Sequence, residues 1–98
     1  MKMQRQGDLL IVKVEGIPEK AQKLEHLILA EGEATGHFHE LDSGELYEAS
    51  GVMYFKVDEG ARVVLKHPEH HHLSFEPGDY KVIRQREYEP NGWRRVAD

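Results

Sequence analysis

The chain has 98 residues, of which 39% are hydrophobic and 32% charged, and its formal net charge is −5. This composition is too apolar for a disordered chain, and the length suits one domain over residues 1–98. The negative charge argues against a nucleic-acid-binding protein, and the absence of cysteine excludes disulfides and thiolate sites. No segment approaches membrane-spanning length, so we expect a cytoplasmic protein without a membrane partner.

Apolar residues alternate along the chain with a period of two, which is typical of β-strands. The first strand is predicted in DLLIVKVEG, where Leu10, Val12 and Val14 share one face. Pro18 breaks the pattern, and residues 18–24 are too few for more than one short helical turn. Two further strands are predicted in LEHLILAEG and ATGHFHEL.

Turn residues divide the rest of the chain into short strands. The turns DSG, SG, DEG and PGD separate the strands ELYEA, VMYFKV, ARVVLKH, LSF and YKVIRQREYE, and WRRVA follows last. About eight short strands without a long helix predict an all-β domain, either a small β-barrel or a β-sandwich. The predicted core consists of Leu10, Val12, Leu27, Leu29, Met53, Phe55, Val63, Leu65, Phe75 and Val82.

Six of the seven histidines fall into two segments, GHFHE and HPEHHH. His37 and His39 are two residues apart, so in a strand they project from the same face. His67 ends the strand ARVVLKH on its predicted interior face, and His70 follows within one turn. We therefore predict that His37, His39, His67 and His70 bind one divalent transition metal ion, either Zn, Fe, Mn, Ni or Cu.

A metal with an open coordination position would make the site catalytic, with Glu45 or Glu69 moving a proton. Arg84, Arg86 and Tyr88 share the predicted interior face of the longest strand. Inward arginines need a partner, because a buried unpaired charge is unfavourable. They either pair with buried carboxylates such as Glu69 or hold a small anionic substrate.

Two other functions remain open on the same residues. The domain could be a metal-free binding or interaction module with pH-sensitive histidines, associated with phage or mobile elements. It could also be a structural subunit of a homo-oligomer that buries a sheet edge. We expect a homodimer that pairs or covers an edge, for which YKVIRQREYE is the candidate strand.

The segment GHFHELDSGELYEASG resembles the first motif of the cupin family, in which a glycine leads to His-x-His, a glutamate and a second glycine. The corresponding residues here are Gly32, His37, His39, Glu45 and Gly51. The resemblance implies a cupin-like β-barrel with metal ligands among these residues. The second cupin motif is only partly present, since no histidine follows the Pro-Gly turn, so a further ligand would come from His67 or His70.

A second resemblance extends over nearly the whole chain. The order of RQGDLLIV, GEATGHFHEL, HPEH, EPGDYKVIRQREYEP and RRVAD is similar to a group of small uncharacterised prokaryotic and phage proteins. The resemblance implies no particular activity. It does imply that GHFH, HPEH and RQREY are signature segments of one site.

Overall fold

The computed structural model describes residues 3–31 and 37–84, which form ten short strands and no helix. In chain order the strands are β1 (Met3–Gln6), β2 (Leu9–Val14), β3 (Gln22–Lys23), β4 (Ile28–Glu31), β5 (Phe38–Leu41), β6 (Glu45–Ala49), β7 (Val52–Val57), β8 (Val63–Lys66), β9 (Leu73–Phe75) and β10 (Gly78–Arg84). The described part of the chain thus lacks any helix long and apolar enough to cross a membrane.

The strands form two antiparallel sheets. The larger sheet has the order β1-β2-β10-β7-β6-β3, and the smaller has the order β4-β5-β8-β9. The all-β prediction is confirmed. Over the described residues the two sheets do not close into a barrel. The fold is therefore a two-layer β-sandwich, which is one of the two predicted architectures.

The core lies between the two sheets and centres on three aromatic rings. Phe55 and Tyr80 of the larger sheet meet Phe75 of the smaller sheet, with ring centroids 4.9–5.1 Å apart. Aliphatic side chains from both sheets surround these rings. Burial of apolar surface stabilises the folded state by roughly 25 cal/mol per Å². The burial of this shared core is therefore the main contribution that holds the two sheets together.

Most of the predicted core residues lie inside. The buried ones are Leu29, Phe55, Val63, Leu65, Phe75 and Val82. Leu27 and Met53 are partly buried and pack against the core. The alternation pattern therefore predicts the inward face correctly for β7, β8 and β10.

The prediction for β2 is wrong about the face that turns inward. Leu9 and Ile11 are 0% and 1% exposed, whereas Leu10 and Val12 are only partly buried. Both sides of the strand carry apolar residues, with Lys13 on the side of Leu9 and Ile11, and a shift of one residue exchanges the two faces. Alternation alone cannot distinguish them, so the burial depends on how β2 pairs with β1 and β10.

The strand predicted as a dimer edge is not an edge where it is described. Strand β10 pairs with β2 on one side and with β7 on the other. The outer strands of the described sheets are β1, β3, β4 and β9. The homodimer itself stays a prediction. Arg86, Tyr88 and the predicted last strand lie outside the described residues.

Candidate functional site

The two histidine segments of the sequence meet in space. His39 lies on β5 and His67 directly follows the neighbouring strand β8. The ring centroid of His67 lies 4.4 Å from that of His39, 4.5 Å from that of His70 and 5.8 Å from that of His37. The centroids of His39 and His70 are 5.8 Å apart. We call these four residues the histidine cluster.

The members of the histidine cluster differ in their exposure to solvent. His39 and His67 are only 3% and 4% exposed. His37 is half-buried, and His70 is exposed. The cluster therefore reaches from the interior of the sandwich to its surface.

Gln6 fixes the orientation of the His39 ring. Nδ1 of His39 lies 2.8 Å from Oε1 of Gln6. The Nε2 group of Gln6 donates to the backbone oxygens of Leu65, at 3.0 Å, and His71, at 2.7 Å. Oε1 is therefore the acceptor, and Nδ1 of His39 carries the hydrogen. In the neutral ring this leaves the lone pair on Nε2.

His67 has the opposite arrangement of its ring hydrogen. Its Nδ1 accepts a hydrogen bond of 3.0 Å from the backbone N–H of Glu69. A ring nitrogen that accepts a hydrogen bond must carry a lone pair and no hydrogen. The neutral ring of His67 therefore carries its hydrogen on Nε2. The cluster thus contains one buried ring with a lone pair on Nε2 and one with a hydrogen on Nε2.

The pKa of each buried ring is lowered, which favours the neutral form. Burial lowers the pKa of His39 to about 4, and the charge of His67 acts in the same direction. Burial also lowers the pKa of His67, with help from the charges of His70 and His37. Neutral imidazole is the form that binds metal ions, so the local environment favours ligand chemistry over positive charge at neutral pH.

Asp8 and Arg84 form an ion pair near His39. Nη2 of Arg84 lies 4.0 Å from Oδ2 of Asp8. The charge of Asp8 raises the pKa of His39 and that of Arg84 lowers it, against the larger effect of burial. Arg84 is half-buried, as its position on the inward face of the strand predicts, and its described carboxylate partner is Asp8 rather than Glu69.

The structure brings one of the two predicted proton carriers to the cluster. Oε2 of Glu69 lies 3.6 Å from Nδ1 of His37. Glu45 lies on β6, in the other sheet, where it accepts a hydrogen bond of 2.6 Å from Tyr47 and lies 3.8 Å from Nζ of Lys23. The carboxylate suggested by the cupin resemblance therefore does not join the histidines.

The donor atoms are not arranged for an ion as they stand. Within residues 3–31 and 37–84, no three histidine, aspartate or glutamate side chains are placed so that they could hold a metal ion. The hydrogen bond from Glu69 occupies Nδ1 of His67, which is one physical reason. The rings have gathered, but their lone pairs do not converge.

A family model described as "Domain of unknown function (DUF8820)" matches residues 5–85 of the chain. The chain belongs to this family. The matched range includes the whole histidine cluster, Gln6 and the Asp8–Arg84 pair. The predicted similarity to an uncharacterised family is thereby confirmed, while the association with phage stays a prediction. Comparison with curated proteins and with solved structures gives no match.

Three residues of this DUF8820 domain that the sequence patterns do not single out belong to the site: Gln6, Gly7 and Asp8. Gly7 has a φ of 61° at the first position of the two-residue turn that joins β1 to β2. A Cβ at Gly7 would lie 3.1 Å from Cε1 of His39 and 3.1 Å from Nε2 of His70. The Gly-Asp pair before the first apolar run was the available signal, because such a pair favours a hairpin turn.

Proposed function

We propose that the histidine cluster binds one divalent transition metal ion, with His39, His67 and His70 as ligands and His37 beside them. The observation that carries this proposal is the gathering of three imidazoles whose centroids are 4.4, 4.5 and 5.8 Å apart. Two imidazoles that share a tetrahedral zinc ion at ~2.0–2.1 Å have centroids about 5 Å apart. The three separations lie within about 1 Å of this value, so a common ion would require the rings to turn rather than the strands to move.

The chemistry of the donors suggests which ions would bind. Imidazole nitrogen suits Zn, Cu, Fe and Ni, whereas Mn prefers oxygen ligands. Of the ions predicted from the sequence, Mn therefore fits this set of donors least. The lowered pKa of His39 and of His67 supports binding at neutral pH, because less proton competition has to be overcome.

Ion binding would require one local rearrangement. His67 can coordinate only if its Nδ1 exchanges the hydrogen bond of Glu69 for the ion, or if its hydrogen moves to Nδ1 and frees Nε2. In either case the hydrogen bond from the Glu69 backbone is broken. The exposed His70, three residues further on, would then turn toward the same ion.

A catalytic role would follow from an open position on the ion. The ion would act as a Lewis acid toward a bound carbonyl or water. Glu69, 3.6 Å from His37, is the carboxylate placed to move a proton. Arg84 would attract a small anionic substrate, in competition with its ion pair to Asp8.

A metal-free domain is the second candidate. It is favoured by one observation, namely that His39 and His67 both have local hydrogen-bond partners without any ion. In that case His39 and His67 are buried polar residues that specify the packing of β5 and β8. The two candidates differ in their response to metal ions, which makes one experiment decisive.

The test is calorimetric titration of untagged, chelator-treated protein with zinc, copper and nickel salts. We expect one ion per chain, with the affinity lowered at least about tenfold by His39→Ala or His67→Ala. The matched control is His72→Ala, which removes an exposed histidine outside the cluster and should leave the affinity unchanged. Titrations without saturable heat, or equal losses in the His39 and His72 variants, would favour the metal-free domain.

A further inference from the structure

Gln6 is a buried amide whose hydrogen-bonding groups are all engaged. It is 2% exposed and ends strand β1. Its Nε2 carries two hydrogens, and the backbone oxygens of Leu65 and His71 accept them. Because an amide nitrogen does not accept hydrogen bonds, the side chain cannot turn over without losing both. Its Oε1 is therefore fixed toward Nδ1 of His39.

This fixed oxygen decides which tautomer of His39 is stable. If the ring hydrogen moved to Nε2, the lone pair of Nδ1 would face that of Oε1 in a buried position. Leaving a buried polar group unpaired in this way is unfavourable, because its desolvation is not compensated. The lone pair of His39 consequently stays on Nε2, on the side of the ring away from Gln6.

The same amide also holds the segment that carries the other two ligands. Leu65 lies on β8, two residues before His67, and His71 directly follows His70. One side chain thus connects His39 with both ends of the segment 65–71. A glutamate at position 6 would still accept from His39 but could not donate to the two carbonyls, which explains why an amide suits this position.

We infer that Gln6 is the positioning residue of the metal site: it presents Nε2 of His39 to the ion and holds the segment of His67 and His70 against the same ring. The inference rests on the proposed function as far as the ion is concerned. The tautomer of His39 can be measured without any metal, so the two can fail separately.

The first measurement is long-range ¹H–¹⁵N NMR of the imidazole nitrogens in metal-free protein. We expect His39 to carry its hydrogen on Nδ1 in the wild type and in Gln6→Glu, which keeps the acceptor. In Gln6→Met, which has a similar length but no polar atoms, we expect a mixture with the Nε2–H tautomer. The matched control is Leu41→Val, which shortens a buried side chain of β5 without touching the hydrogen bond and should keep the wild-type tautomer.

The second measurement is the zinc affinity of the same four proteins. We expect a loss of about 10- to 100-fold for Gln6→Met, a smaller loss for Gln6→Glu and none for Leu41→Val. An unchanged His39 tautomer or an unchanged affinity in Gln6→Met would overturn the inference. If Gln6→Met does not fold, the Nε2–H tautomer in Gln6→Glu would overturn it equally.

A wild-type protein that binds no zinc would defeat the proposed function and the part of this inference that concerns the ion. The tautomer measurement would still decide whether Gln6 orients His39. A shift of tautomer in Gln6→Met would then retain Gln6 as the residue that orients the ring, now within a metal-free cluster.

Discussion

Nδ1 of His39 and Oε1 of Gln6 share a hydrogen bond of 2.8 Å across 33 positions of the chain. The bond joins strand β1 of the larger sheet to strand β5 of the smaller one, at the place where the histidines gather. A polar contact in a buried place is maintained only when its partners are satisfied, and here they are. The contact therefore links the packing of the two sheets to the chemistry of the cluster.

The lowered pKa of His39 predicts that the metal-free fold is sensitive to acid. An unfolded histidine titrates near pH ~6.5, whereas His39 in the fold titrates at about pH 4. Between these values the unfolded chain binds a proton that the fold excludes, so the free energy of unfolding falls as the pH falls. His39 alone should contribute on the order of 3 kcal/mol to this loss. Urea unfolding across this range measures it.

The control for acid sensitivity is a variant that cannot titrate at this position. His39→Asn keeps an N–H donor for Gln6 and should flatten most of the dependence between pH ~6.5 and pH ~4. The remaining dependence comes from the lowered pKa of His67 and, near pH ~4, from the lowered pKa values of Asp42 and Glu45. His72→Ala should keep the wild-type dependence. The explanation is contradicted if His39→Asn loses stability in acid as steeply as the wild type.

Gly7→Ala should damage the cluster as well as the turn. A positive φ disfavours alanine by roughly 1–2 kcal/mol, and the new methyl group would also press on the rings of His39 and His70. Gly51→Ala is the matched control, because its φ is 80° and no described atom lies within 4 Å of an added Cβ. We expect both variants to lose stability but only Gly7→Ala to change the imidazole NMR signals. Imidazole signals in Gly7→Ala that match those of Gly51→Ala would show that Gly7 acts only as a turn residue.

The ion pair beside His39 predicts two pKa shifts of opposite sign when one or the other partner is replaced. Asp8→Asn removes a charge that raises the pKa of His39, so the pKa should fall. Arg84→Gln removes a charge that lowers it, so the pKa should rise. NMR titration of the Cε1–H group of His39 measures both shifts. Shifts in the same direction would contradict the described placement of the pair.

The hydrogen bond between Glu69 and His67 should report on ion binding. In the metal-free protein the Glu69 amide donates to Nδ1 of His67 and should exchange slowly with solvent. Zinc would break this bond, so the exchange should accelerate while the amides of β10 stay protected. An amide at Glu69 that is equally protected with and without bound zinc would exclude His67 as a ligand.

The amino-acid sequence predicts the fold class and the proximity of the two histidine segments, whereas the convergence of their nitrogens on one ion stays a prediction. Period-two patterns of β7 and β8 indicate the buried faces, because in each strand the lysine lies on the side opposite the buried residues. The interior position of His67 follows from the same alternation. In β2 both sides carry apolar residues and Lys13 lies on the side of Leu9 and Ile11, so the pattern favoured the wrong face.

The rest of the site depends on contacts between distant segments. Strand β1, with the sequence MQRQ, has no apolar alternation, so neither the strand nor the role of Gln6 could be predicted from periodicity. The pairing of Arg84 with Asp8 joins positions near opposite ends of the described chain. The tautomers of His39 and His67 depend on hydrogen bonds that only the folded structure defines.

The most direct test of the metal proposal is elemental analysis after equilibrium dialysis of untagged protein against zinc. The wild type and His72→Ala should each retain about one zinc per chain, and His39→Ala should retain almost none, since a ligand with a fixed lone pair has been removed. The proposal is contradicted if the wild type retains no zinc, or if His39→Ala retains as much as His72→Ala.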